Sequence, residues 1–172
     1  MTRPAPSWAA TPRITTSHGP SFPNGSHVCE VEIDPETGTT EVVRYVVVDD
    51  FGVVVNPLLL AGQIHGGVAQ GIGQALLEHT VYDSEGQLIT ATFNDYALPR
   101  AWDFPFFEFQ TRNVPTEANL LGIKGAGEAG TVGSAQAVMN AVADALDRAY
   151  GIRSIDMPVT PERLWRTIRL AV

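Results

Sequence analysis

At 172 residues, with 44% hydrophobic and 17% charged side chains, the chain has the make-up of one globular domain able to bury a core. Eleven Lys and Arg stand against nineteen Asp and Glu, and the formal net charge of −8 argues against a nucleic-acid surface or a polybasic membrane anchor. No apolar run is long enough to span a bilayer and no signal segment opens the chain, so a cytoplasmic location is expected.

Residues 1–20 are rich in Pro, Ser, Thr and Ala without periodicity and read as a disordered or loosely attached arm, with the folded domain expected over 21–172. Cys29, Val31 and Ile33 alternate with Glu30, Glu32 and Asp34, the pattern of a strand with one buried face. The Asp34–Thr39 stretch carries turn chemistry, with Pro35 pre-setting φ and Gly38 free to take positive φ. Val42–Val48 is an apolar, β-branched run suited to a more buried partner strand, so the two predict a hairpin.

Asn56 and Pro57 are a cap and a first helical residue. The helix predicted over Leu58–Glu78 contains Gly62, Gly66, Gly67, Gly71 and Gly73. Each interior glycine costs about 0.8–1 kcal/mol relative to alanine, roughly 4–5 kcal/mol for five. A helix, a strand or a ligand must therefore come close to its backbone. Close packing explains the glycines but not the glutamines among them, Gln63, Gln70 and Gln74.

Gln87–Phe93 and Phe107–Thr111 read as strands separated by loop. Ser134 is read as the cap of an amphipathic helix with Val138, Val142, Leu146 and Tyr150 on its apolar stripe, stopped by Gly151. Ile152–Ile155 reads as a short strand, and Thr160, Pro161 and Glu162 start a last helix ending near Leu170.

The single cysteine, Cys29, cannot form an internal disulfide, a four-cysteine zinc site or an iron–sulfur cluster. If the protein handles electrons, the relay sits on another chain. The four histidines fall at no metal-ligand spacing, which leaves a metal held mainly by an organic cofactor as the metal chemistry open to this chain.

One stretch, Lys124-Gly-Ala-Gly-Glu-Ala-Gly130, concentrates the chemical signals. Gly125–Gly130 matches the G-x-G-x-x-G dinucleotide fingerprint, with Leu120–Ile123 as the preceding strand and Asp156 as a ribose-binding acid. Against that, the Glu128 carboxylate would lie where a pyrophosphate should be cradled. The same small residues leave Glu128 unshielded for a bulky ligand, which suits a general base in a partly desolvated pocket. An exposed turning loop is the third reading, and the residues alone do not choose among them.

Seven stretches in order resemble the molybdopterin-binding large subunit of the xanthine dehydrogenase, aldehyde oxidase and aerobic carbon monoxide dehydrogenase family. They are Phe22-Pro-Asn-Gly-Ser-His27, Glu30-Val-Glu-Ile-Asp-Pro-Glu-Thr-Gly38, Asp49-Asp-Phe-Gly-Val-Val-Val-Asn-Pro57, the glycine helix Gly62–Gln74, Asp95-Tyr-Ala-Leu-Pro-Arg100, Gly122–Gly130 and Met157-Pro-Val-Thr-Pro-Glu-Arg163. The resemblance implies a mixed α/β fold, the C-terminal part of a molybdopterin-binding domain. It implies that Glu128 is the catalytic base beside molybdenum, that Gln70 hydrogen-bonds the pterin, and that Lys124, Gly125 and Gly127 belong to the loop around the cofactor. Gln63, His65 and Gln74 either support those contacts or simply pack, packing being the preferred reading.

The cofactor so implied is molybdenum–molybdopterin, in its cytosine dinucleotide form if the source is bacterial. The implied reaction is oxidative hydroxylation of a small molecule, such as an aldehyde or an N-heterocycle, with water as oxygen source. The implied partners are the remainder of the large subunit, an iron–sulfur small subunit and an FAD medium subunit. Two alternatives stand beside it: a dinucleotide-binding module on Gly125–Gly130, and a catalytically inactive assembly piece. The family's large subunit is several times longer, and residues 118–122 lack a proline that the family often has after the asparagine. The 172-residue chain alone is therefore expected neither to hold the cofactor tightly nor to turn over; metal analysis finding stoichiometric molybdenum, together with oxidation of an aldehyde, would overturn that expectation.

Overall fold

The computed structural model describes residues 19–171, and most of the arm predicted over 1–20 lies outside them. The architecture is the expected mixed α/β one: β1 (Asn24–Ile33), β2 (Thr40–Asp50), α1 (Pro57–Leu76), a short 3-10 turn at Ala101–Asp103, β3 (Glu108–Thr111), α2 (Ala129–Tyr150) and α3 (Pro161–Ala171). The sheet has the order β1-β2-β3, with β1 antiparallel and β3 parallel to β2.

The predicted hairpin forms, longer at both ends than its apolar runs indicate. Asp34 organises its turn: Oδ1 accepts from the Glu36 N–H at 2.9 Å and Oδ2 from the Thr37 hydroxyl at 2.7 Å, while Gly38 takes φ +73°. Gly38 is also the seat of α3, since a Cβ there would overlap the carbonyl oxygen of Pro161. Along β2 Val42, Tyr45 and Val47 lie in the core, the alternation slipping by one residue between Val42 and Tyr45 where the register with β1 shifts. Across from them lie Ile64, Val68 and Ile72 of α1, Val138, Val142 and Leu146 of α2, and Leu164 and Ile168 of α3.

α1 starts as the sequence indicates, with the Asn56 side chain accepting from the Leu59 N–H at 3.1 Å and Pro57 in the first turn. Gly73 is closed in by Glu78 and Pro99, and the other four glycines of the helix divide into two groups. A Cβ on Gly67 would lie 2.9 Å from the Thr131 nitrogen and one on Gly71 would overlap the Ser134 hydroxyl, so these two let α2 approach. A Cβ on Gly62 or Gly66 would meet nothing within 4 Å. Helix packing therefore accounts for the first group and leaves the second facing open space.

Four expectations are corrected. Gln87–Phe93 forms no strand; Leu88 makes one isolated bridge with Tyr82, and the Asp83 carboxylate folds the chain back by accepting from the Glu85 and Gln87 N–H groups at 2.9 and 2.8 Å. Ile152–Ile155 is irregular, and so is Leu120–Ile123 apart from a bridge between Ile123 and Gly52. Ser134 is not a cap: α2 begins at Ala129 with Glu128 at the cap position, and Ser134 is fully buried in the second turn, donating to the Gly67 and Thr131 carbonyls. Gly151 does end α2, in the left-handed conformation at φ +70°.

Alanine at Gly62 or Gly66 should raise stability by about 0.5–1 kcal/mol each, because it removes backbone entropy without a clash. Alanine at Gly67 should instead lower it by roughly 1–3 kcal/mol, since the obstructing atoms are backbone. Urea midpoints at constant m-value measure both effects, and a common sign for all three variants would refute the division.

Candidate active site

The loop before α2 is held at both ends. At its start, Asp50 closes β2 with a carboxylate that is almost wholly buried. Its Oδ1 accepts from the N–H groups of Gly52 and Val114, each at 2.9 Å, and its Oδ2 takes the Lys124 ammonium at 2.5 Å. The two side chains are only 9% and 13% exposed. Burial opposes the charge on Asp50, but the ammonium and the two N–H groups outweigh it and hold the carboxyl down to about 2.

The main chain follows the same line. Lys124 N donates to the Phe51 carbonyl and Val53 N to the Gly122 carbonyl, both at 2.9 Å. Gly52 and Gly122 allow this crossing at positive φ, and a Cβ on Gly52 would overlap the Gly122 carbonyl. Asn119 stiffens the approach: its Oδ1 accepts from the Leu121 and Ile123 N–H groups, and its amide donates to the Ile123 carbonyl at 2.8 Å. Side-chain bonding thus supplies the rigidity of this stretch.

At the loop's far end Gly130 sits against α1, and a Cβ on it would lie 2.6 Å from the Ile64 carbonyl oxygen. Between the anchors, Gln63 donates to the Gly127 carbonyl at 2.7 Å. Glu128 is exposed at the head of α2; its carbonyl accepts from the Thr131 and Val132 N–H groups, and its side chain makes no capping bond. Gly125 and Gly127 are open, with nothing within 4 Å of a Cβ on either. Gln70 is exposed on α1, its Oε1 accepting from the Thr131 hydroxyl at 3.2 Å.

Glu128, Gly125 and Gly127 line a cavity of about 460 Å³ together with His27 and Asp49. Gln70 lies on the α1 side of the loop, outside that lining, and the Lys124 ammonium is committed to Asp50. Lys124 therefore fixes the loop, a role that the sequence motif alone did not distinguish from ligand contact. His65 packs edge-on against Phe106 and Phe107, at ring separations of 5.4 and 5.7 Å, and Gln74 reaches the Met157 sulfur. Neither lines that cavity.

Sequence reasoning missed Asp50, His27 and Asp49. The adjacent acids ending an apolar strand were the available signal for Asp50, because a carboxylate there must find a partner to be buried. Cys29 is not a reactive centre: burial, assisted by the neighbouring Glu30 charge, pushes its thiol up to about 12.

The dinucleotide reading fails on geometry. That fingerprint needs a strand before its loop and a parallel strand after its helix, and neither Leu120–Ile123 nor Ile152–Ile155 is a strand. The acid proposed for the ribose, Asp156, is an exposed partner of Arg163.

The sequence pattern of the molybdopterin cofactor-binding domain matches residues 5–105, beginning inside the stretch read as an arm, and the chain belongs to that family. It is 42% identical over 150 residues to the nicotine 6-hydroxylase large subunit of Paenarthrobacter nicotinovorans, covering 87% of this chain and 18% of that one. It is 36% identical over 149 residues to the carbon monoxide dehydrogenase large chain of Hydrogenophaga pseudoflava, again covering 87% and 18%. The quinoline 2-oxidoreductase structure from Pseudomonas putida 86 superposes with a TM-score of 0.83 at 41% identity, over 87% of this chain and 19% of that one. The chain thus spans a fifth or less of the length of the relatives it matches.

Replacing Lys124 by methionine would leave the Asp50 charge buried and unpaired and should cost about 3–5 kcal/mol. The sign with pH follows from Asp50. Its folded-state value lies below the ordinary carboxylate value of about 3.9, so the pair's contribution is fully present above about pH 4 and is lost as pH falls toward 2. Denaturant titrations between pH 2 and 7 should show this acid-dependent slope in the wild type and a flatter one in Lys124→Met; parallel curves would remove the pair from the account.

Proposed function

We propose that this chain forms one wall of the molybdenum–molybdopterin site in a hydroxylase large subunit, with Glu128 as the catalytic base. The supporting observation is that Glu128, Gly125, Gly127, Gly62 and Gly66 all have unfilled space beside them, although α1 and the loop are otherwise closely packed. A cradle of that kind suits a bulky cofactor lying along the backbone. Gln70 fits the pterin role because it is exposed on α1 beside Thr131 and its amide N–H groups have no protein acceptor among the described residues. Gly125 and Gly127 admit the group, and Lys124 acts beneath them by tying the loop to β2.

The chemistry such a cofactor supplies when bound is a two-electron oxidation with water as oxygen source. On this reading the Glu128 carboxylate takes the proton released as the water-derived oxygen attacks the substrate carbon. Electrons leave through an iron–sulfur subunit and an FAD subunit, since one cysteine cannot ligate a cluster here. The cytosine dinucleotide form of the cofactor and a cytoplasmic setting belong to the same reading.

The rest of the large subunit is the partner that completes the site. The surface beside the loop supports this: Val55, Leu58, Leu59, Leu120 and Leu121 are between 69% and 95% exposed, an apolar skin unusual on a free domain. Relatives of similar identity carry names of different substrates, nicotine and carbon monoxide. The shared segment accordingly supports the reaction class, and the choice among aldehydes, N-heterocycles and other small molecules is assigned to residues beyond it.

The test is a complex reconstituted from this chain, the large-subunit remainder and the redox subunits. Glu128→Gln should keep its molybdenum and lose about 10²–10⁴-fold in kcat. Gly66→Val should lose molybdenum while the chain stays folded. Turnover retained in Glu128→Gln would end the base assignment, and full molybdenum in Gly66→Val would end the cradle.

A further inference from the structure

Glu128 is bracketed by two glutamines on one face of α1. Gln63 and Gln70 stand two helical turns apart with Gly66 between them, and all three are exposed. Gln70 accepts from the hydroxyl of Thr131, which follows Glu128 on α2, and Gln63 donates to the carbonyl of Gly127, which precedes it, at 2.7 Å. A carbonyl only accepts, so the amide nitrogen of Gln63 is the atom that faces it. Among the described residues this is the one hydrogen bond that Gly125, Ala126 or Gly127 makes to another segment. Ala126 packs against the core, but a Cβ on Gly125 or Gly127 would meet nothing within 4 Å.

The Gly127–Glu128 peptide is trans, so its carbonyl and its N–H point in opposite directions. With the carbonyl held toward α1, the Glu128 N–H is turned away from that helix. This peptide plane and the Glu128 backbone, at φ −115° and ψ 0°, together set the line along which the Glu128 side chain leaves the chain. Glycine at 127 puts little steric limit on a rotation of the plane. A half-turn would carry Glu128 to positive φ, a region that a non-glycine residue enters at modest cost, and would send its side chain along another line. One hydrogen bond thus selects between two directions of the carboxylate.

We propose that Gln63 is the positioning residue of Glu128: by donating to the Gly127 carbonyl it fixes the peptide plane from which the carboxylate projects. The inference rests on Glu128 being the base, and it replaces the packing role that the sequence alone favours for Gln63. Gln63 does not line the cavity beside Glu128, so its effect on the chemistry passes through the peptide. What the position requires is a donor of this reach. Methionine has the length without the donor, glutamate offers only acceptors to a carbonyl, and lysine keeps an N–H within reach.

Two measurements test this. In the 172-residue chain labelled with carbon-13, the Gly127 carbonyl resonance should move in Gln63→Met and in Gln63→Glu and stay near its wild-type place in Gln63→Lys. In the reconstituted complex, Gln63→Met should keep its molybdenum and its KM and lose about 10–100-fold in kcat, with Gln63→Lys within about threefold of wild type. Added to Glu128→Gln, Gln63→Met should cost no further kcat, because a residue that acts through the base then has nothing to position. A residue that only steadied the fold would add its own loss. An unmoved Gly127 resonance in Gln63→Met, additive losses, or wild-type kcat in Gln63→Met beside a collapsed Glu128→Gln would overturn the inference. Turnover retained in Glu128→Gln would bring down the base reading and this inference with it, and that case is told apart by a Gly127 resonance that still answers to Gln63.

Discussion

One buried carboxylate sets the geometry around which the site is arranged. Asp50 ends β2 with a carboxylate only 9% exposed, so its charge is met mainly by protein, and three separate segments meet it: Gly52, Val114 and Lys124. Because Lys124 cannot leave without exposing that charge, the chain four residues before Glu128 is fixed to the sheet. Two residues after Glu128, Gly130 is pressed against α1 at the Ile64 carbonyl. The intervening Gly-Ala-Gly-Glu-Ala is strung between these anchors and caught midway, at Gly127, by Gln63. A flexible composition thereby acquires one position, with the conformational freedom of the glycines removed by contacts outside the loop.

The division among the glycines follows from the same arrangement. Gly67, Gly71 and Gly130 are small because two helices cross there closely, and their cost in helix propensity is offset by the packing they permit. Gly62 and Gly66 have no such compensation inside this chain. They weaken α1 by about 0.8–1 kcal/mol each against alanine and give nothing back in the structure described. A cost without a local return points outward, to something beyond the residues described, as do the open positions at Gly125 and Gly127.

Local chemistry was legible in the sequence, and tertiary pairing was not. The Asp34–Thr39 turn, the Asn56 cap, the Gly151 stop and the start of α3 each depend on residues within a few positions, and each appears where its residues indicate. Gln87–Phe93, Leu120–Ile123 and Ile152–Ile155 have strand-like composition but find no neighbouring strand, and a strand exists only with a partner. α2 was placed too late because Gly125–Gly133 is poor in helix formers. Its first turn is held by contacts with α1, and Ser134, which has the chemistry of a cap, spends its hydroxyl on the Gly67 and Thr131 carbonyls. For the site, the glutamate and its glycine frame could be read, whereas the role of Lys124 depended on Asp50, seventy-four positions earlier.

That separation bears on how the site divides its requirements. Position is preset in this chain: the loop, the helix head and Gln63 fix where the Glu128 backbone lies before any ligand arrives. Desolvation is not, for Glu128 is exposed and the apolar skin at Leu58, Leu59, Leu120 and Leu121 has nothing over it among the described residues. A carboxylate serves as an effective base when it is both held in place and shielded from water. The first condition is met by a scaffold that spans a fifth or less of its relatives' length. On the proposed reading the second has to come from whatever covers that surface, so Glu128 would gain its shielding from the same partner that completes the cradle.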